Sequence, residues 1–399
     1  MRIGSLFSGA GGLDMAVEAV FGGRTVWHSE IDKAASKVLA HRWPDVPNLG
    51  SITEIDWATV EPVDVLCGGF PCTDVSSAGK RAGMHGTRSG LWSYMAEAID
   101  ALRPQYVVIE NVRGLLNASA NRPVGRDEDV MGYGGDGLVL RAIGAVLGDL
   151  ADIGGYEARW VTVAAADVGA PHRRERVFIL AADTSGDGRS RGAKLNGAPE
   201  ESEPRHQDRG HSHGRVLEDG GRASSMTMGS LLPTPASRDH KGADHRKLSL
   251  ENATKFRGEG GASSLADVAC LLPTPAAADG SRGQDYARAN RADSGGDDLV
   301  TAAVKAHNDS QWGRYAAAIA RWEQIVGPSP VPTEPNRNGK PRLNPAFSQW
   351  MMGWPAGWVT DTSIGRSRVE QLRIIGNGVC PQQAHAAIRY LLSVAEVGA

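Results

Sequence analysis

Three stretches predict an α/β protein of the nucleotide-binding kind. The first is an apolar strand, Arg2 to Phe7, followed by the turn Ser8-Gly9-Ala10-Gly11-Gly12 and a helical pattern from Leu13 to Val20. Strand, glycine turn and helix open many nucleotide sites, because glycines let the backbone approach a ligand and the helix N-terminus favours an anion. The second is the run Val63 to Cys67, which ends on Gly68-Gly69. The third is Val107-Val108-Ile109, which ends on Glu110-Asn111-Val112. Short apolar runs bounded by turn residues read as buried strands.

The elements follow in order. Thr25 to Ser29 is a second strand, ending at Glu30-Ile31-Asp32. An acidic residue at that strand end, about 20 residues past a glycine turn, can accept two ribose hydroxyls. Asp32 is also placed to cap a helix from Lys33 to His41. Past Gly69, Phe70-Pro71-Cys72 puts a thiol on a stiffened loop at a strand end, where it can act as a nucleophile. The alternative is a small buried cysteine beside Cys67. Adjacent strand ends would bring Cys72 and Glu110 into one cleft. An amphipathic helix runs from Arg88 to about Leu102.

Phe-Pro-Cys followed by Glu-Asn-Val resembles the paired signature motifs of the cytosine-C5 DNA methyltransferases. Phe-Ser-Gly-Ala-Gly-Gly-Leu at Phe7–Leu13 is similar to that family's S-adenosylmethionine loop. The resemblance covers about the first 180 residues and the last 60. It implies a Rossmann-like catalytic domain with a smaller, irregular target-recognition lobe. It implies Cys72 as nucleophile and Glu110 as the acid opposite. Phe7, Gly9, Ala10, Gly11 and Leu13 would line the cofactor, Glu30 would hold its ribose and Ile31 would stack on adenine. Ser51-Ile52 stands where the family usually has Asp-Ile; a hydroxyl can still accept a hydrogen bond. Gly69, Pro71 and Leu91 complete the expected cofactor surround.

The loop past Cys72 carries Ser76, Lys80 and Arg81, expected to meet DNA phosphates; a solvated loop is the alternative. A glycine-rich charged stretch to about Gly137 reads as a surface insertion. Leu138 to Leu150 is helical by period, Tyr156 to Val163 and Val177 to Ala181 are strands. Pro171-His172-Arg173-Arg174-Glu175-Arg176 lies before the last of these. The family usually has glutamine at His172, and Arg174 and Arg176 match its arginines. They would hold a phosphate or the cytosine carbonyl and favour the thiolate, or else pair with Glu175.

From Asp183 to about Gly229 few large apolar residues occur, so little can be buried. Leu231-Leu232-Pro233-Thr234-Pro235-Ala236 then recurs as Leu271-Leu272-Pro273-Thr274-Pro275-Ala276. The copies precede Arg238, Asp239 and Lys241, and Asp279 and Arg282. Stiff loops presenting such residues suit base reading in the major groove; a structural turn used twice is an equal alternative. Trp312, Tyr315, Ile319 and Trp322 form a packing stripe on a helix from Gln311 to Val326. Leu343 to Pro355 resembles the family segment that organises the recognition lobe, and its Trp and Met residues are expected in packing. Ile375-Gly376-Asn377-Gly378-Val379-Cys380-Pro381-Gln382-Gln383 resembles the family's last motif. It opens a terminal helix to about Val397 and implies Asn377 and Val379 beside the cofactor's methionine end. The division expected is a catalytic domain at 1–182, a flexible segment at 183–230, the recognition lobe at 231–342 and a return to the catalytic domain at 343–399.

Composition narrows the function classes. A net charge of −3 means that any DNA surface must be a local patch. Four cysteines without paired spacing argue against a disulfide framework and a zinc site, and the three histidines 206, 211 and 213 lack the companions of a metal site. No apolar stretch would cross a membrane. The expectation is a cytoplasmic, monomeric enzyme acting on double-stranded DNA with S-adenosylmethionine, without metal, with a cognate restriction endonuclease as candidate companion. Two rivals share the motifs. One is a tRNA cytosine-5 methyltransferase; the other is a non-catalytic DNA-binding or cofactor-sensing protein.

Overall fold

A computed structural model describes residues 1–71, 90–123, 139–184, 271–281, 299–308, 312 and 315–397. The described residues cluster into one compact unit, Met1–Ser185 with Ala269–Ala399. Of the lobe expected at 231–342, residues 271–281, 299–308, 312 and 315–342 fall in the same unit as the sheet. The glycine-rich segment after 184 and the first copy of the repeat lie outside the described residues.

The centre is a six-stranded sheet of order β2-β1-β3-β4-β8-β7. Its strands are β1 (Arg2–Leu6), β2 (Arg24–Ser29), β3 (Val65–Gly68), β4 (Tyr106–Val112), β7 (Tyr156–Ala164) and β8 (Glu175–Asp183). Strands β1 to β4 are mutually parallel, and β8 and β7 add antiparallel at one side. In register, Leu6 faces Ser29 and Gly68, and Gly68 faces Ile109. Four parallel strands thus end level, and Phe7, Glu30, Gly69 and Glu110 emerge along one edge. A small antiparallel pair, β5 (Ser119–Pro123) and β6 (Val139–Arg141), stands apart from the sheet. Val139–Arg141 was expected to be helical; that helix, α4, spans Ala142–Ile153 instead.

Helices cover both faces, as a sheet buried on two sides requires. On one face α3 (Gly90–Leu102) and α4 pack Trp92, Met95, Ile99, Val146 and Leu150 against Leu66, Val107 and Ile109. A buried bond from Trp92 Nε1 to Asp149 Oδ2 (2.8 Å) ties the two helices. On the other face α1 (Gly12–Phe21) and the terminal helix α9 (Pro381–Val397) meet over Ile3, Val65, Val108 and Phe178. The expectation of a last helix docking on the first sheet is met here.

A third cluster gathers α2 (Lys33–Arg42), α5 (Leu299–Asn308), α6 (Ala316–Val326), α7 (Pro345–Met351) and α8 (Arg368–Asn377). Trp322, Phe347, Trp350, Met351, Met352 and Trp354 are buried in it, so the aromatic and methionine segment is packing. Tyr315 caps α6, so the expected helix from Gln311 starts later, at Ala316. A short antiparallel pair, β9 (Thr333–Pro335) and β10 (Pro341–Leu343), leads into α7. Three of these helices, α5, α7 and α8, have no counterpart in the sequence reading.

Candidate active site

At one end of the sheet edge stands the glycine turn. Gly9 and Gly11 take left-handed backbone conformations (φ 57° and 81°) that glycine adopts without strain. Phe7 does so as well (φ 54°), a strained conformation for a residue with a side chain. Gly9 N–H donates to Glu30 Oε2 (2.8 Å), and Asp32 N–H donates to Glu30 Oε1 (2.7 Å). Burial raises the Glu30 carboxyl above the ordinary glutamate range, while these amides pull it back. Ile31 beside it is 71% exposed. Asp32 caps α2 through Ala34 N–H and Ala35 N–H, as expected.

Ala10 and Leu13 are buried, and the Ala10 carbonyl accepts a bond from Trp358 Nε1 (2.8 Å). Val379 lies so close to the start of α1 that a methyl group on Gly12 would collide with its carbonyl. Trp354 Nε1 holds the same carbonyl at 2.8 Å. Asn377 is exposed at the end of α8. Ser51 caps a single helical turn, with its hydroxyl 2.8 Å from Thr53 Oγ1, and Ile52 is buried. Leu91 is half-buried against the α3 face of the sheet, and Pro71 is exposed.

The other end of the edge is built around Glu110. It is only 9% exposed and sits 2.8 Å (Oε1) from Arg176 Nε. The two side chains share a face because β4 and β8 run antiparallel with Val112 opposite Arg176. Burial pushes the Glu110 carboxyl up, against the pull of Arg176 and Arg174. Gly69 lies against it, with Glu110 Oε2 3.1 Å from where a β-carbon would stand. Asn111 Nδ2 donates to the Phe70 carbonyl (2.9 Å), and the Phe70 ring packs on Trp92. That bond fixes the chain two residues before Cys72 at the end of β4.

Arg174 has a different environment from the one expected. Its guanidinium is buried and donates to the carbonyls of Gly376 (3.1 Å) and Gly378. Burial, with help from Arg176, pushes it down to about 9, which leaves it charged at neutral pH. Its backbone is also left-handed (φ 29°). Arg174 therefore binds the end of α8, and Arg176 is the arginine at the carboxylate. Arg173 and Arg113 pair with Glu175, each at 2.6 Å.

His172 is fully buried, and its Nε2 donates to the Met351 carbonyl (3.0 Å). The second copy of the repeat docks here. Leu272 bridges His172 in parallel, Leu272 N–H donates to the Pro171 carbonyl (2.7 Å), and Thr274 Oγ1 accepts from Arg174 N–H (3.3 Å). Asp279 is buried and accepts from Ala276 N–H (2.8 Å). This copy is a structural seam, and Asp279 is not free to read bases.

Cys67 and Cys380 are buried thiols, the first pushed well above its ordinary range and the second to about 11, both chiefly by burial. Neither is a candidate thiolate. Cys72, Ser76, Lys80, Arg81, Arg238, Lys241 and Arg282 lie outside the described residues. Among the described residues no cluster of three metal-ligating side chains exists, and no helix is long and apolar enough to cross a membrane. Sequence reasoning missed Asn111 as the anchor of Phe70, and missed Arg373, Trp358 and Gln383. Gln383 Nε2 donates to the Arg174 and Val163 carbonyls, each at 2.7 Å; its place at the end of the last motif is the one available signal.

Comparison with known proteins places the chain in a family. The sequence profile of the C-5 cytosine-specific DNA methylase family matches residues 1–393. The type II methyltransferase M.NlaIV of Neisseria lactamica is 30% identical over 213 residues, 50% of this chain and 47% of that protein. M.HpaII of Haemophilus parainfluenzae is 34% identical over 177 residues, 44% of each chain. The chain thus spans about half the length of the curated relatives it matches. A DNMT2 crystal structure from Spodoptera frugiperda aligns over 98% of this chain and 99% of that one at TM-score 0.48 and 16% identity.

Proposed function

The chain belongs to the C-5 cytosine-specific DNA methylase family, and from that premise we propose that it methylates C5 of a cytosine flipped out of a specific duplex DNA sequence, using S-adenosylmethionine. The observation that carries the proposal is the buried Glu110 at the end of β4, paired with Arg176 and tied through Asn111 and Phe70 to the chain that leads to Cys72.

The residues fit the cofactor. A half-buried carboxylate held by two backbone amides keeps lone pairs for ribose hydroxyls. The exposed Ile31 offers an apolar face to adenine, and a β-carbon at Gly9 would meet only open space. Glu30 and Ile31 would hold the nucleoside, and the glycine turn with Asn377 and Val379 the methionine end. When bound, the cofactor supplies an electrophilic methyl group to C5.

The protein makes C5 nucleophilic. Cys72 thiolate adds to C6, and the ring electrons move toward C5 as aromaticity is lost. Glu110 supplies a proton to N3, so charge does not build up on the ring; its raised affinity for protons serves that step. Arg176 orients the carboxyl and faces the cytosine carbonyl. After methyl transfer, which would leave the donor as its thioether, a base takes the C5 proton, N3 returns its proton to Glu110, the C6–S bond breaks and the thiolate is regenerated. The target base must leave the duplex to reach Cys72, at a cost of a few kcal/mol. The lobe expected at 231–342, apart from the docked segment 271–281, is where we place the reading of the target sequence, and a restriction endonuclease is the natural companion of such an activity in a bacterial or phage-infected cytoplasm.

The test is Cys72→Ala, assayed with labelled cofactor on duplex DNA and on tRNA. Methyl transfer to duplex DNA should vanish in the variant while cofactor binding remains, and DNA carrying 5-fluorocytosine should trap a covalent adduct only with the unmodified chain. Methylation of DNA by Cys72→Ala would overturn the assignment, and transfer to tRNA alone would move the substrate to RNA.

A further inference from the structure

We propose that Arg373 is a positioning residue for the cofactor: from α8 it fixes, through Asp32, the carboxylate of Glu30. The inference rests on the reading that Glu30 takes the ribose. Arg373 Nη1 lies 2.6 Å from Asp32 Oδ2 and Nη2 3.2 Å from Oδ1, a two-point pair. Asp32 Oδ1 also accepts the Ala34 and Ala35 amides at 2.9 Å. With three sets of donors on one carboxylate, Asp32 has little freedom to turn. Its own amide is the donor that orients Glu30 Oε1. The bond to Arg373 is also the largest cause that lowers the Asp32 carboxyl below its ordinary range.

Surface ion pairs commonly contribute little, because two long side chains must be ordered in water. Here the pair joins segments 341 residues apart and closes a ring. From the glycine turn the ring passes to Glu30, Asp32, Arg373 and along α8. At the far end of α8, Arg174 holds the carbonyls of Gly376 and Gly378, and Val379 abuts Gly12 at the start of α1. Both ends of the cofactor site thus hang on one helix. The arginine touches neither the cofactor nor the reacting atoms; it acts on the geometry of Glu30.

The experiment is calorimetric titration of S-adenosylhomocysteine into the full chain and five variants. Arg373→Ala should weaken binding about fivefold, the upper range for a partly exposed pair. Arg373→Lys should recover part of the loss. Asp32→Asn, which keeps a capping acceptor but loses the charge, should cost as much as Arg373→Ala and should not add to it in the double variant. In turnover the loss should fall on KM for the cofactor rather than on kcat. Arg368→Ala is the control, since that side chain ties the same helix to the Leu343 carbonyl and Glu334; affinity should not change. Unchanged affinity in Arg373→Ala, or an equal loss in Arg368→Ala, would overturn the proposal, the second by showing that any loosening of α8 suffices. Failure of the unmodified chain to bind S-adenosylhomocysteine would instead remove the ribose reading beneath it.

Discussion

Glu110 and Glu30 leave the same sheet edge from parallel strands, yet one end of that edge is dry and the other is wet. Around Glu110 the side chain of Arg174 is buried, and the carboxylate's ion-pair partner is Arg176. Around Glu30 the neighbours are backbone amides, an exposed isoleucine and a half-exposed ion pair. Burial raises both carboxyls, but the partners differ in kind. Amides can only donate to a carboxylate, so they keep Glu30 an acceptor for hydroxyls. An arginine in a low-dielectric setting holds Glu110 near a proton transfer that can be tuned. On the proposed function, binding belongs to the wet end and chemistry to the dry end.

The largest expected effect tests the dry end. Glu110→Gln keeps the shape and a hydrogen-bond donor but cannot deliver a proton. Single-turnover methyl transfer should slow about 10²- to 10⁴-fold, the usual range for a lost general acid, while DNA affinity changes little. The unmodified enzyme should also lose rate as pH rises through the raised Glu110 value, since the acid form is the active one. That limb should be missing in the variant. A drop in DNA affinity as large as the drop in rate would make Glu110 a binding group and erase the contrast between the ends.

The same contrast explains what could be read without a structure. Strands β1 to β4 are buried on both faces, so they write themselves as apolar runs, and their glycine and acidic ends mark the edge. Glu30, Glu110 and the glycine turn followed from spacing along that edge. The partners of the site did not, because they arrive from distant segments: Trp358 to Ala10 spans 348 residues and Arg174 to Gly378 spans 204. No local period encodes such contacts. Helix α8 escaped notice because its buried residues, Leu372, Ile374 and Ile375, bunch near a glycine-rich end. The second copy of the repeat looked equally suited to DNA and to structure; only the bonds of Leu272 and Thr274 to the Pro171–Arg174 segment separate the two.

A smaller effect sharpens the wet end. Glu30→Gln removes the charge and offers one of the two positions an amide in place of an acceptor. Hydrogen bonds to a charged group contribute about 1.5 to 3 kcal/mol, so S-adenosylhomocysteine should bind about 10- to 100-fold more weakly by calorimetry. The pH dependence of the chemical step should stay as it was. If that profile moved with Glu30→Gln, the two carboxylates would titrate as one system and the division of labour would fail.

The smallest effect at neutral pH comes from His172, buried within reach of the two arginines that act on Glu110. Burial, with the charge of Arg174, pushes His172 down to about 3, so the folded protein keeps it neutral while an unfolded chain protonates it near its ordinary value of 6.5. Below that value the unfolded state binds the extra proton, and the folded state loses stability by up to about 1.4 kcal/mol per pH unit from this one group. His172→Gln retains a donor for the Met351 carbonyl and has no proton to gain. Urea titrations of the two proteins should nearly coincide in relative stability at pH 8, whatever fixed offset the substitution brings. On moving to pH 5 the unmodified chain should fall behind by about 2 kcal/mol. Parallel stability curves from pH 8 to pH 5 would mean that the folded protein takes up that proton too, and that the buried surroundings His172 shares with Arg174 admit a second positive charge.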